Sequence, residues 1–128
     1  MSELKPMRDR TFEFGCAVIA AFRRIPPFDE AEHVLWNELL KTQKSMAANS
    51  AESTGAPSRR DFASKFEIVL KEAREAFQLL RLLAATTPSR RAELAPLQRQ
   101  CDEIIAILVT SLKTAKRRQN SRVPRSPE

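Results

Sequence analysis

Apolar residues recur at steps of three and four along most of this chain, the spacing that lines one face of an α-helix. Phe14, Val18, Phe22 and Ile25 predict a first helix from about Arg10 to Arg24, with Asp9 placed to accept the free N–H groups of its first turn. Pro26 and Pro27 end it, because proline has no N–H to donate and clashes with the preceding turn. A second helix starts behind Asp29, with acids in its first turn, and reaches about Glu52. Its inner stripe reads Leu35, Leu39, Thr42, Met46 and Asn49, with Trp36, Leu40 and Ala47 widening the apolar face. The run from Ser53 to Pro57 is the clearest break. Ser58 then caps a third helix, with Asp61 in capping-box position three residues on. The stripe Phe62, Phe66, Val69, Ala73, Ala76, Leu80, Leu83 is the most regular heptad in the chain and predicts coiled-coil-like packing. Thr86, Thr87 and Pro88 close that helix. The fourth starts at about Ser89 or Leu94 and ends near Arg118, on the stripe Leu94, Leu97, Cys101, Ile104, Ile105, Leu108, Leu112; either Pro88 or Pro96 fits a first helical turn.

Four amphipathic helices with three short connections predict an all-α fold, an antiparallel up-down-up-down four-helix bundle over residues 9–118. Residues 1–8 read as a flexible arm, and residues 119–128 as a disordered basic tail containing Asn120, Pro124 and Pro127. The length of 128 residues suits one domain with a core that needs neither metal nor disulfide. Two glycines are too few for the tight turns of a β-sandwich or barrel. No apolar run approaches a membrane span, and the first ten residues lack the hydrophobic centre of a signal peptide, so the expected setting is the cytoplasm.

The net charge of +6 is unevenly placed. Residues 113–128 hold Lys113, Lys116, Arg117, Arg118, Arg122 and Arg125 against the single acid Glu128, whereas the first 112 residues are nearly balanced. Such a cluster is either an electrostatic footprint for phosphate or an acidic partner, or a solvated terminus that aids solubility. Arg59 and Arg60 open the third helix, and Arg90 and Arg91 the fourth, where a cation opposes the positive end of the helix dipole. Local stability does not explain that choice, so these four join the basic residues as candidates for an acidic partner.

Catalytic chemistry finds little to work with. No phosphate loop, Rossmann loop or nucleophile-elbow motif occurs. His33 has no partner at metal-ligand spacing. Cys16 and Cys101, each among apolar neighbours on different helices, read as buried free thiols. Glu67, Lys71 and Glu75 alternate in charge at steps of four, the pattern of a solvated helix face. No enzymatic activity, cofactor or metal is expected.

Four segments taken together carry a resemblance. They are Arg10-Thr11-Phe12-Glu13-Phe14; Ser45 to Glu52; Ser58 to Phe62 with Leu70-Lys71-Glu72-Ala73-Arg74-Glu75; and Glu103-Ile104-Ile105 through Lys113 to Lys116. In this order and spacing they resemble the bacterial 23S rRNA intervening-sequence protein family of four-helix bundles, over about residues 8–118, and look like relatives of the accessory variability determinant proteins of diversity-generating retroelements. Ser45, Asn49, Ala51 and Glu52 match the family's most recognisable stretch, and Lys71, Glu72, Arg74 and Glu75 match its third-helix segment. Ala47, Ser50 and the pair Phe77-Gln78 depart from it. The resemblance implies a homopentameric ring without established enzymatic activity, and for the retroelement members a reverse transcriptase and its RNA as partners.

Asn49 and Glu52, one turn apart, suit either a polar interface or a hydrogen bond inside the bundle. Lys71, Glu72, Arg74 and Glu75 read as a salt-bridged face. The expected function is a non-enzymatic homo-oligomer that binds nucleic acid, RNA before DNA, through its basic residues. Binding would be mainly to phosphate, because no aromatic accompanies the basic run. The rival expectation is a protein-interaction scaffold, such as a reverse-transcriptase accessory subunit, with a merely solubilising tail.

Overall fold

The structure, a computed structural model, describes residues 5–122. Four helices run in sequence: α1 (Met7–Arg24), α2 (Glu30–Ser53), α3 (Arg59–Thr86) and α4 (Arg91–Arg122), with a single 3-10 turn, Pro88–Arg90, leading into α4. Each helix packs on its neighbours in sequence, and α1 packs on α4 to close the bundle. Among the described residues there is no strand.

Two predicted caps form. Asp29 Oδ1 accepts from Glu32 N at 2.9 Å, and Ser58 Oγ accepts from Asp61 N at 3.1 Å. Asp9 is not a cap. The helix begins at Met7 because the Pro6 carbonyl already accepts from Asp9 N and Arg10 N, so Asp9 lies in the first turn, where its charge meets the positive dipole end. Pro88 begins the 3-10 turn, whereas Pro96 lies inside α4. Helix α4 continues past Arg118 to Arg122, so Asn120 is helical; residues 123–128, including Arg125, Pro124 and Pro127, lie outside the described residues.

The core is a seam of heptad positions on each helix. On α3, Phe66, Val69, Ala73, Ala76, Leu80 and Leu83 are buried, as the stripe predicts, with Phe62 half-buried at its end. On α4, Leu94, Leu97, Cys101, Ile104 and Leu108 are buried, with Ile105 and Leu112 half-buried beside them. Alternating steps of three and four on all helices match the shallow crossing angle of coiled-coil-like bundles.

The stripe on α2 differs from the predicted one. Its buried residues are Glu32, Trp36, Leu39, Gln43, Met46, Ser50 and Ser53, and Leu35, Thr42 and Asn49 flank them half-buried. Polar side chains fill this seam because the structure gives several of them partners or room. Gln43 lies against Gly15 of α1, where a Cβ would come within 2.2 Å of Gln43 Oε1, so the glycine lets α1 approach. Ser50 is the exception: it is fully buried and its hydroxyl has no hydrogen-bond partner among the described residues. Ser50→Ala removes that desolvated hydroxyl and adds a better helix former, so the variant should gain about 1 kcal/mol, read as a higher urea midpoint at an unchanged slope. A lower midpoint would show that the hydroxyl is satisfied.

Candidate nucleic-acid interface

The antiparallel pairing of α3 and α4 brings two basic segments together that lie more than fifty residues apart in sequence. Arg59 and Arg60 open α3; Lys113, Lys116, Arg117 and Arg118 occupy the last turns of α4, and all six are exposed. From Ile104 to the end of the described chain α4 carries no acid. Between the two segments lies a cleft of about 320 Å³ lined by Arg59, Phe62, Ser111, Thr114, Ala115 and Arg118. Phe62 is half-buried and tilts against Phe66, with ring centroids 4.3 Å apart. Thr114 Oγ1 donates to Thr110 O at 3.1 Å. Arg122 is the last residue of α4, and Arg125 lies outside the described residues.

The other two candidate arginines stand at the opposite end of the bundle, roughly 40 Å away along α3. Arg91 is exposed there. Arg90 is not part of any basic surface: it is 5% exposed, and its Nε forms an ion pair with Glu32 Oε2 at 2.6 Å. Its Nη2 also donates to Pro26 O, and its guanidinium lies 4.3 Å from the centre of the Phe28 ring. Glu32, itself 4% exposed, accepts at the same time from Phe28 N at 2.8 Å and from Trp36 Nε1 at 3.1 Å. The arginine at the start of the last helical segment is therefore an internal tie between the first and third interhelix connections. Sequence offered no sign of this, because Glu32 and Arg90 are 58 positions apart. Arg10 behaves similarly on α1: it is 7% exposed, with Nη1 donating to Glu103 Oε1 at 2.8 Å and Nε to Lys5 O at 3.2 Å.

The motif residues join α2 to α3. Asn49 Nδ2 lies 3.0 Å from Glu72 Oε1, 3.1 Å from Ser45 O and 3.3 Å from Ser45 Oγ, so Asn49 is satisfied inside the bundle. Glu52 pairs with Lys65 at 2.7 Å, an exposed pair worth little by itself. Ala51 is exposed beside it. Lys71, Arg74 and Glu75 are exposed on the outer face of α3 and, with Glu67, Leu70 and Gln78, line a shallow groove of about 430 Å³.

Cys101 is buried, its thiol 3.2 Å from Ala73 O, and burial, with a smaller contribution from the Asp102 charge, pushes its pKa up to about 12. It stays protonated and inert at neutral pH. Cys16, expected to be buried, is exposed on the outer face of α1, level with exposed Phe12 and Ile19. His33 stacks on Phe22, with centroids 6.4 Å apart. Among the described residues no group of three or more His, Cys, Asp or Glu side chains is placed to hold a metal ion, and no helix is long and apolar enough to cross a membrane.

No family model matches the chain, and no curated protein matches it. A solved structure does: a protein of unknown function from the S23 ribosomal protein family of Bacteroides thetaiotaomicron. It is 29% identical, superimposes with a TM-score of 0.73, and the match covers 84% of this chain and 95% of that one. The likeness extends over nearly the whole described bundle, in sequence as well as in fold, and supports the family read from the four segments.

Proposed function

We propose that this chain is a non-enzymatic, homo-oligomeric four-helix-bundle protein that binds nucleic acid, RNA in particular, through the basic end formed by α3 and α4. The observation that carries the reading is the convergence of Arg59 and Arg60 with Lys113, Lys116, Arg117 and Arg118 on one end of the bundle. A sequence-independent contact of this kind rests on phosphate neutralisation and counterion release. In a homopentamer, the assembly that the family resemblance suggests, five such ends would act together and raise a weak single-site affinity by a factor on the order of a hundred or more.

The test is fluorescence anisotropy with a structured RNA over a salt series, on the full chain. Replacing Arg59, Arg60, Lys113, Lys116, Arg117 and Arg118 with Gln should weaken binding at low salt by about a thousandfold and flatten the log–log salt slope by roughly 0.9 per lost duplex contact. Arg91→Gln, at the far end, should leave both unchanged. Equal binding by the six-residue variant would sink the reading.

One observation favours the second reading, a protein-interaction scaffold that extends to a reverse-transcriptase accessory role. Phe12, Cys16 and Ile19 follow at steps of four and three on the outer face of α1, and Phe12 is 66% exposed. This unpartnered apolar stripe suits either the subunit contact of the oligomer or a protein partner. Absence of RNA binding at low salt in the unaltered chain would leave the scaffold as the better reading.

A further inference from the structure

Six large apolar side chains are exposed among the described residues: Phe12, Ile19, Phe28, Val34, Ile68 and Leu82. Phe28 lies under the Arg90 guanidinium. Val34 stands singly on α2, and Ile68 and Leu82 are about four turns apart on α3. Phe12 and Ile19 alone share one helix face within two turns, and exposed Cys16 lies between them. Cys16 points straight away from the core, because the buried Phe14 and Val18 lie two residues before and two residues after it.

Around Cys16 the face complements itself end to end. Phe12 is four residues before it and Ile19 three after, and at about 100° per residue both fall on the same flank. Asp9 is seven residues before it and Arg23 seven after, both close to the midline, with Arg24 following. The only ion pair of the Asp9 carboxylate among the described residues is a 3.9 Å contact with Arg8, both side chains being more than half exposed. Among the same residues no ion pair forms at Arg23 or Arg24. One end of the stripe is therefore acidic, the other basic, and its middle apolar.

We propose that α1 docks on α1 of a second copy of this chain, antiparallel, about a two-fold axis that passes beside Cys16. In that register Phe12 of each copy meets Ile19 of the other, and Asp9 of each meets Arg23 and Arg24 of the other. The two Cys16 thiols face one another at the centre. Arg8 and Arg24 are level in the same register but lie about 80° to opposite sides of the midline, so these like charges stay apart. The apolar contacts supply the affinity. The exposed ion pairs add little energy and fix the direction, since a parallel copy would set Arg23 and Arg24 against their own counterparts. A foreign partner would not require the stripe to complement itself; a second copy does. The contact is isologous, so it pairs two copies and is separate from any head-to-tail contact that closes a ring. It goes beyond the nucleic-acid reading and does not rest on it.

The test is thiol cross-linking of the full chain at micromolar concentration, with a bismaleimide whose reach matches the spacing of about 8–10 Å between packed helices. Cys16 is the reactive thiol, since Cys101 is buried with its pKa pushed up to about 12. Cross-linked pairs should form, and Cys16→Ser should abolish them. Phe12→Asp, at an exposed position, should weaken pairing about a hundredfold, because each pair loses two aromatic contacts, while circular dichroism shows an unchanged helix content. Asp9→Arg should weaken pairing about tenfold, and adding Arg23→Asp with Arg24→Asp should restore it, a rescue that a loss of helix stability could not give. Pairs that form equally well in Phe12→Asp, or a charge reversal that the compensating changes fail to rescue, would overturn the two-fold contact. So would an absence of cross-linked pairs, whether light scattering then shows a monomer or an assembly built through another face.

Discussion

Glu32→Leu should lower the free energy of unfolding by about 3–5 kcal/mol, a loss set by what it strands rather than by what it deletes. The carboxylate serves three groups: the Arg90 guanidinium, Trp36 Nε1 and Phe28 N. Without it a buried cation and two N–H donors lose their acceptor, and only Pro26 O and the Phe28 ring remain for the arginine. Arg90→Leu should cost less, because Glu32 keeps two donors. The double variant Glu32→Leu with Arg90→Leu should recover much of the loss, since an apolar replacement of a buried pair avoids desolvating either charge. Urea unfolding at one protein concentration, followed by the emission of Trp36, the chain's single tryptophan, measures all three. If the double variant is as unstable as Glu32→Leu, the pair contributes net stability and the desolvation argument is wrong here.

Leu80→Ala should cost about 2–5 kcal/mol. Leu80 is fully buried in the α3 seam, flanked by Ala76 and Leu83, and a rigid bundle can close only part of the cavity. Leu82, two residues on and 41% exposed, should lose less than about 1 kcal/mol on the same truncation. The comparison holds side-chain chemistry and helix constant and varies only the face, so equal losses would mean that Leu82 is covered, as a subunit contact would cover it. Circular dichroism melts of the two variants give the answer.

The α3 seam was legible because its pattern is pure: large or small, each inward position from Phe66 to Leu83 is apolar. Helix α2 was read only partly on its true face: Leu39 and Met46 are buried as predicted, whereas Leu35, Thr42 and Asn49 each lie one position from the buried Trp36, Gln43 and Ser50. Polar residues enter that seam through tertiary partners that no local pattern displays: Arg90 for Glu32, and the bare backbone of Gly15 for Gln43. Asp9 was misassigned for a more local reason, since the Pro6 carbonyl can start a helix without a side-chain cap. At the basic end the charges were legible and their grouping was not. Arg59 and Arg118 come to the same end only because α3 and α4 run antiparallel, and Arg90 was drawn inside by Glu32, a carboxylate in the first turn of α2.

Helix α1 has 18 residues where α3 has 28, and its Arg10 is level with Glu103 of α4. Beyond about Leu108, then, α4 no longer has α1 beside it, and most of its side chains from Lys113 onward are exposed. Amide protons in those turns should exchange through local opening well before the whole domain unfolds, in contrast to the end tied by Glu32 and Arg90. A polyanion that engages only the closed form of these turns would have to draw on that opening equilibrium, so its affinity would be coupled to local helix stability. The length of the first helix would in this way set the working tension of the last one.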